Sequence, residues 1–285
     1  MSDESQSFLF VHRAVRGAWA RCDALMHDVL QRHPYPAALQ ALLGDLMIAC
    51  AMLSAHLKDG STLTLQLRGS GPLHLAMAEC SAAGHIRVYA DYDADRLHPQ
   101  LSFMELLAPA QMALTLEHEG QSYQGIVALH EQGLALSLED YFLQSEQLPS
   151  CLLLAHRADR YAGLLLQQMP AADRDQADED FRYARLLAQT CRDDELLELD
   201  SSSLLQRLYH EDDITLAPPQ TLSFHCRCSR QRSLSALLSL GAADLSHLLM
   251  ERHGRIEVDC ELCRQRYHFS SLDLSEHLQA PDSLQ

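Results

Sequence analysis

Lysine is almost missing from this chain: Lys58 is the only one, and the other 21 basic residues are arginines. Basic residues are scarce as a class, 22 against 39 acidic ones, for a net charge of −17 at pH 7. A surface of that sign repels phosphate backbones and argues against general nucleic-acid binding. It suits a soluble protein that must stay dispersed while holding sticky cargo, although solubility alone also explains it. No apolar run follows a basic start, since the first ten residues read MSDESQSFLF. No uninterrupted stretch of about 18 apolar residues stands out as a membrane span, so a cytoplasmic protein without membrane association is expected. A Walker-type phosphate loop is absent, which argues against ATP use.

The 285 residues, 47% of them hydrophobic, suffice for a sizeable core. Val15, Trp19, Cys22 and Met26 stand at helical spacing, which predicts a helix over residues 13–32, broken by His33-Pro34-Tyr35-Pro36. A second apolar helix is expected over 37–57. Leu63 to Leu67 alternate strictly, as a half-buried strand does. Further strands are expected at 73–77, 86–89, 112–117, 125–129, 152–154 and 163–169, and a helix at 136–146. Helices and strands mix without a regular βαβ rhythm, which predicts an α+β fold with a mixed helix and sheet core over residues 1–170.

The character changes after Pro170. Residues 171–215 carry 13 acidic and 5 basic residues, a net of −8. Yet Phe181, Leu186 and Leu187, then Leu196, Leu197 and Leu199, then Leu204, Leu205 and Leu208 recur at helical spacing, with Ser201 to Ser203 as a cap for the last group. Short helices of this kind are marginal alone and need a surface to pack on. Residues 171–221 are therefore expected to form a metastable acidic helical linker. A small domain over 222–285 follows, with two helices divided at Gly241 and a hairpin. So few residues bury little core, so metal is expected to supply much of this domain's stability.

Nine cysteines punctuate the chain. Cys22, Cys50, Cys80, Cys151 and Cys191 are scattered singly and read as ordinary core or surface residues. The other four form two pairs, Cys226-x-Cys228 and, 31 residues on, Cys260-x-x-Cys263. Each pair aims two sulfurs from one tight turn, and the insert folds back to unite them, the usual form of a tetrathiolate zinc site. Four thiolates suit one zinc ion per reduced chain. An iron–sulfur cluster is chemically open, but the short knuckles and the lack of further cysteines nearby favour zinc. His225, His253 and His268 lie near but read as outside the ligand shell. Arg227, Arg230, Arg264 and Arg266 either offset the thiolate charge or are simply solvated.

A purely structural zinc module is the default for such a motif. Metal-held thiolates, however, are deprotonated at neutral pH and open to oxidants. Cys228 can resolve oxidised Cys226, and Cys263 can resolve Cys260. Each such disulfide removes two ligands, so the metal leaves.

The chain resembles the heat shock protein 33 family, the redox-regulated 33 kDa bacterial chaperonins. The likeness rests on LLGDLMIACAMLSAHLKDGSTLTLQLRGSGPL (42–73), YQGIVALHEQGLALSLEDYFLQSEQLPS (123–150), LLLQQMP (164–170), LYHEDDI (208–214) and CRCSRQR (226–232), besides the cysteine spacing. It departs at Arg264, where the family often has glycine, and at Ala162-Gly163, where it often has two glycines. The resemblance implies a holdase that needs no ATP and is not an enzyme. Reduced and zinc-bound it is off. Under oxidative stress two disulfides form among Cys226, Cys228, Cys260 and Cys263, zinc leaves, the linker unfolds, and apolar surface is freed for unfolding client proteins. Oxidised chains are expected to form a homodimer. The competing readings are a zinc-ribbon nucleic-acid-binding protein and a thiol oxidoreductase. The 7 basic and 8 acidic residues of 221–285 do not suit the first. The second requires a βαβ context that the residues around Cys260 lack.

Overall fold

The computed structural model describes residues 3–278. They divide into two compact units, which meet in sequence between His225 and Cys226. In chain order the first unit contains β1 (Glu4–Phe10), β2 (Val15–Cys22), α1 (Leu25–Arg32), α2 (Ala37–Ser54), β3 (Thr62–Gly69), β4 (Leu73–Ser81) and β5 (His85–Tyr92). After a 3-10 turn come α3 (Phe103–Leu107), β6 (Ala110–His118), β7 (Gln121–Ala128), α4 (Leu134–Ser145), β8 (Ser150–Arg157) and β9 (Arg160–Gln168). The acidic segment supplies α5 (Arg174–Ala188), α6 (Asp193–Glu198) and α7 (Ser201–Leu208). Three short strands close the unit, β10 (Ile214–Leu216), β11 (Gln220–Thr221) and β12 (Ser223–Phe224). The fold is α+β, as the irregular mixture of patterns implies.

Two sheets enclose α2. One runs β10-β1-β2-β9-β8, with β11 also on β1; the other runs β12-β5-β4-β3-β6-β7. The helix packs against strands of both sheets. It is long and apolar enough to cross a membrane by composition alone, but most of it is buried inside the fold. Leu39, Leu43, Leu46, Met47, Ile48 and Met52 are all 1% exposed or less. Helix and strand approach closely: a Cβ on Gly163 would lie 2.6 Å from Cγ2 of Ile48. Glycine at this position lets α2 seat on β9.

The helix expected over 13–32 is a correction. Residues 15–22 form β2, and only Leu25–Arg32 are helical. The reason lies in burial on two faces. Ala18, Ala20 and Cys22 face the α2 core, while Val15 and Trp19 belong to a second apolar cluster. A strand covered on both sides loses the polar alternation that marks strands, and its large residues then mimic helical spacing.

That second cluster is where the acidic segment packs. Ala177, Phe181, Ala184 and Ala188 of α5, Leu196 and Leu197 of α6, and Leu204, Leu205 and Leu208 of α7 cover the outer face of the first sheet. There they meet Phe8, Phe10, Trp19, Leu164 and Leu166. Leu186 faces outward instead, 59% exposed. The cap of α7 is Asp200, whose carboxylate accepts the Ser203 N–H at 2.9 Å, one residue before the serines that the sequence suggests.

Polar contacts fasten the same segment. Asp180, only 4% exposed, accepts the Ala14 N–H at 3.0 Å and pairs with Arg13 at 3.4 Å. Arg13 also reaches Asp212 at 2.6 Å and stacks over Tyr183. The Tyr209 hydroxyl donates to the Ala184 carbonyl at 3.0 Å, tying the end of α7 to α5.

Replacing Asp180 by alanine strands the Ala14 N–H and one bond of Arg13. Urea unfolding is expected to show a loss of about 2–3 kcal/mol. Unchanged stability would mean that this junction does not hold the segment in place.

Candidate metal centre

The second unit is small. It holds α8 (Arg230–Leu238), α9 (Ala242–Glu251), the antiparallel pair β13 (Arg255–Asp259) and β14 (Arg266–Ser270), and α10 (Ser271–Leu278). Its apolar core consists of Leu237, Leu245, Leu249, Ile256, Phe269 and Leu274. A cluster of that size is weak support for an independent fold.

Both cysteine pairs sit where backbone geometry aims them together. Cys226 and Cys228 lie in a segment without helix or strand that runs into α8. In an extended chain, residues two apart point to the same side, so one spacer suffices. Ser229 then caps α8 by accepting the Arg232 N–H at 3.2 Å. Cys260 and Cys263 occupy the turn between β13 and β14. The turn is closed by Cys260 N–H to the Gln265 carbonyl at 2.9 Å and Arg264 N–H to the Cys260 carbonyl at 2.8 Å. Arg264 completes it with φ of 61°, a left-handed conformation that favours glycine. The departure noted in the sequence thus falls on a residue whose backbone geometry suits glycine.

All four sulfurs lie within 4.8 Å of one another and are half-buried. Contacts of 3.7 Å between Cys226 and Cys260 and 3.3 Å between Cys228 and Cys263 link the two pairs. A tetrahedral zinc site with bonds of about 2.3 Å has sulfur–sulfur edges of about 3.8 Å, so the donor set fits a single ion of that kind. Burial, helped by hydrogen bonds with the neighbouring sulfurs and opposed by a backbone bond from Gln265, holds the Cys263 thiol far above its ordinary range. Four thiolates brought this close would repel one another, a repulsion that a bound cation would offset.

Histidines stay outside this group. His225 stacks on His85 in the first unit, and His268 pairs with Glu257 at 3.2 Å. Among the flanking arginines, Arg230 pairs with Asp273 at 2.7 Å and lies over Phe269. Arg266 pairs with Asp259 at 2.7 Å. Their charge is directed to carboxylates. Ser270, through its N–H and hydroxyl, and then Arg230, hold the Asp273 carboxyl down to about 2.

Tyr267, in the hairpin expected within 222–285, does not stand out in the sequence as a site residue. The Tyr267 hydroxyl lies 3.1 Å from Sγ of Cys228, and this contact pushes the phenol up to about 12. It is placed to donate a hydrogen bond to a thiolate. An aromatic hydroxyl four residues after the last cysteine was the available signal. The five scattered cysteines belong to no such cluster among the described residues. Cys22, Cys50, Cys80 and Cys151 are buried, and burial pushes Cys80, Cys151 and the half-buried Cys191 up to about 11. Such thiols are poor nucleophiles.

The family model described as Hsp33 protein matches residues 3–270. The 33 kDa chaperonin of Pseudomonas aeruginosa strain LESB58 is 42% identical over 279 residues, covering 96% of this chain and 94% of that protein. That of Azotobacter vinelandii is 42% identical over 278 residues, with the same coverage. Among solved structures, the 33 kDa chaperonin (heat shock protein 33 homolog) of Thermotoga maritima superposes with a TM-score of 0.80. The match covers 97% of this chain and 98% of that one at 22% identity, which speaks to the fold alone.

Arg264 is exposed, so replacing it by glycine relieves its backbone at little packing cost. Thermal melting of the reduced protein is expected to show the second unit stabilised by about 0.5–1 kcal/mol. A destabilised unit would mean that the arginine side chain contributes more than its backbone conformation costs.

Proposed function

Because the chain belongs to the Hsp33 family of chaperones, we propose that it is a redox-regulated holdase that binds unfolding proteins without ATP. The observation that carries this reading is the convergence of Cys226, Cys228, Cys260 and Cys263 within 4.8 Å, in a unit whose own core is too small to be secure. Zinc bound there would cross-link the Cys226–Cys228 segment to the hairpin turn and neutralise the thiolates.

An oxidant such as peroxide removes two electrons from each cysteine pair and is itself reduced to water. Cys226 joins Cys228 and Cys260 joins Cys263, four donors are lost, and the unit loses its cross-link. Chain continuity carries the effect onward, since β12 ends two residues before Cys226. The strands β10, β11 and β12, of three, two and two residues, are weakly held edges. Release of these strands leaves α5–α7 dependent on their own apolar face. Once the helices lift, Phe8, Phe10, Trp19, Leu164 and Leu166 become available to apolar segments of clients, and the acidic residues keep the complex soluble. Client binding is stoichiometric, without turnover of a substrate. The same reading includes a cytoplasmic role in oxidative stress and dimerisation of the oxidised chain.

Reduced protein is expected to hold one zinc per chain, lose it on peroxide treatment, and only then suppress aggregation of a heat-unfolding client in light scattering. Peptide mapping is expected to find the two neighbour disulfides and five free thiols. Zinc-free reduced protein, or cross-paired disulfides as the main product, would overturn this reading.

Leu204→Ala tests the linker separately from the metal. This fully buried leucine holds α7 to the sheet, and its truncation costs about 2–5 kcal/mol. The variant is expected to keep its zinc yet hold clients under milder oxidation than the parent. An unchanged activation threshold would remove the linker from the mechanism.

A further inference from the structure

A cavity of about 320 Å³ in the first unit lies apart from the linker helices. Leu53, Leu63, Leu114 and Phe142 form its apolar walls, all 9% exposed or less. Tyr123 and Glu146 line its exposed side. The volume is within the range of small-ligand sites.

Its polar end is unusual. Arg16 lies on the face of β2 that also carries Ala18 and Ala20, directed between the sheets. Its one hydrogen bond among the described residues runs from Nη2 to Oε1 of Gln167 at 3.0 Å. Nε is buried without a partner, and no carboxylate among the described residues forms an ion pair with this guanidinium. Gln167 is itself committed, donating to the Ser150 hydroxyl at 3.3 Å. Nearby, Nε2 of His56 is also buried without a partner. Burial, and then the charge of Arg16, push His56 down to about 4, so it is a neutral imidazole at physiological pH. A desolvated cation and an unused ring nitrogen at one end of a leucine-lined cavity are matched by an anion with an apolar tail.

We propose that this cavity binds a medium-chain alkanoate, its carboxylate on Arg16 and His56 and its alkyl chain along Leu53, Leu63 and Leu114. The carboxylate takes the guanidinium N–H groups that the protein leaves unmatched, and the tail replaces water on the apolar walls. This site is independent of the zinc centre and of the linker.

The test is titration calorimetry of decanoate, below its micelle concentration, into the reduced, zinc-loaded full chain. Saturable binding of one decanoate per chain is expected. Decanol, with the same tail and no charge, is expected to bind at least about tenfold more weakly. Arg16→Met, which keeps the apolar stem, is expected to weaken decanoate by about tenfold or more. Leu114→Trp, which fills the cavity from the other sheet, is expected to abolish binding while Arg16 remains. Melting curves and zinc content establish that each variant is folded, and either variant alone is decisive if the other fails to fold. No saturable binding up to about 1 mM, equal binding by decanol, or equal binding by the folded variants would overturn the proposal. Because the protein stays reduced throughout, failure here leaves the chaperone reading untouched.

Discussion

A sheet that is apolar on both faces has to be covered twice. The sheet built on β1, β2, β8 and β9 meets α2 on its inner side, through Ala18, Ala20 and Leu165. On its outer side Phe8, Phe10, Trp19 and Leu164 require a second cover. Among the described residues the acidic helices supply most of it, joined by Tyr209, Ile214 and Leu216. α6 and α7 have six and eight residues, too few to persist alone, so this part of the cover is held by contact with the sheet and with the 15-residue α5 rather than by helix propensity. On the proposed reading, this cover would be conditional: closed, it would keep the apolar face from solvent, and opened, it would expose that face to clients.

The second unit complements this arrangement. The six buried core side chains among its described residues are weak support, and a four-sulfur centre would make its stability conditional on a metal and on the thiol state. Tyr267 beside Cys228 and the left-handed Arg264 beside Cys263 show that each pair has its own local environment. Burial raises the thiols of Cys80, Cys151 and Cys191 in the first unit, and on the proposed reading it is metal binding that would make the clustered four thiolates and so the targets of oxidants.

Much of this was legible in the residues. Strict alternation marked β3, the His33–Pro36 segment marked the break before α2, and the cysteine spacing located the four converging sulfurs. The acidic segment with leucines at helical spacing revealed short amphipathic helices, though not that Leu186 faces outward and Asp200 is the cap. Residues 15–22 were misread because two-sided burial erases the period that distinguishes strand from helix. Arg16 left no mark on the pattern, since an arginine in the helix expected over 13–32 reads as a solvated one. Only the packing of α2, α4 and β6 around it reveals that no carboxylate among the described residues pairs with it. Tyr267 was hidden similarly, because its contact with sulfur depends on how the hairpin brings Cys228 alongside β14.

Hydrogen exchange over residues 171–215 tests the central claim most directly. Backbone amides of α5, α6 and α7 are predicted to be protected in reduced, zinc-loaded protein. They are predicted to exchange freely once the protein is oxidised and mildly warmed, over the same interval in which holdase activity rises, while α2 stays protected. Equal protection of the segment in both states, with holdase activity rising all the same, would contradict the account.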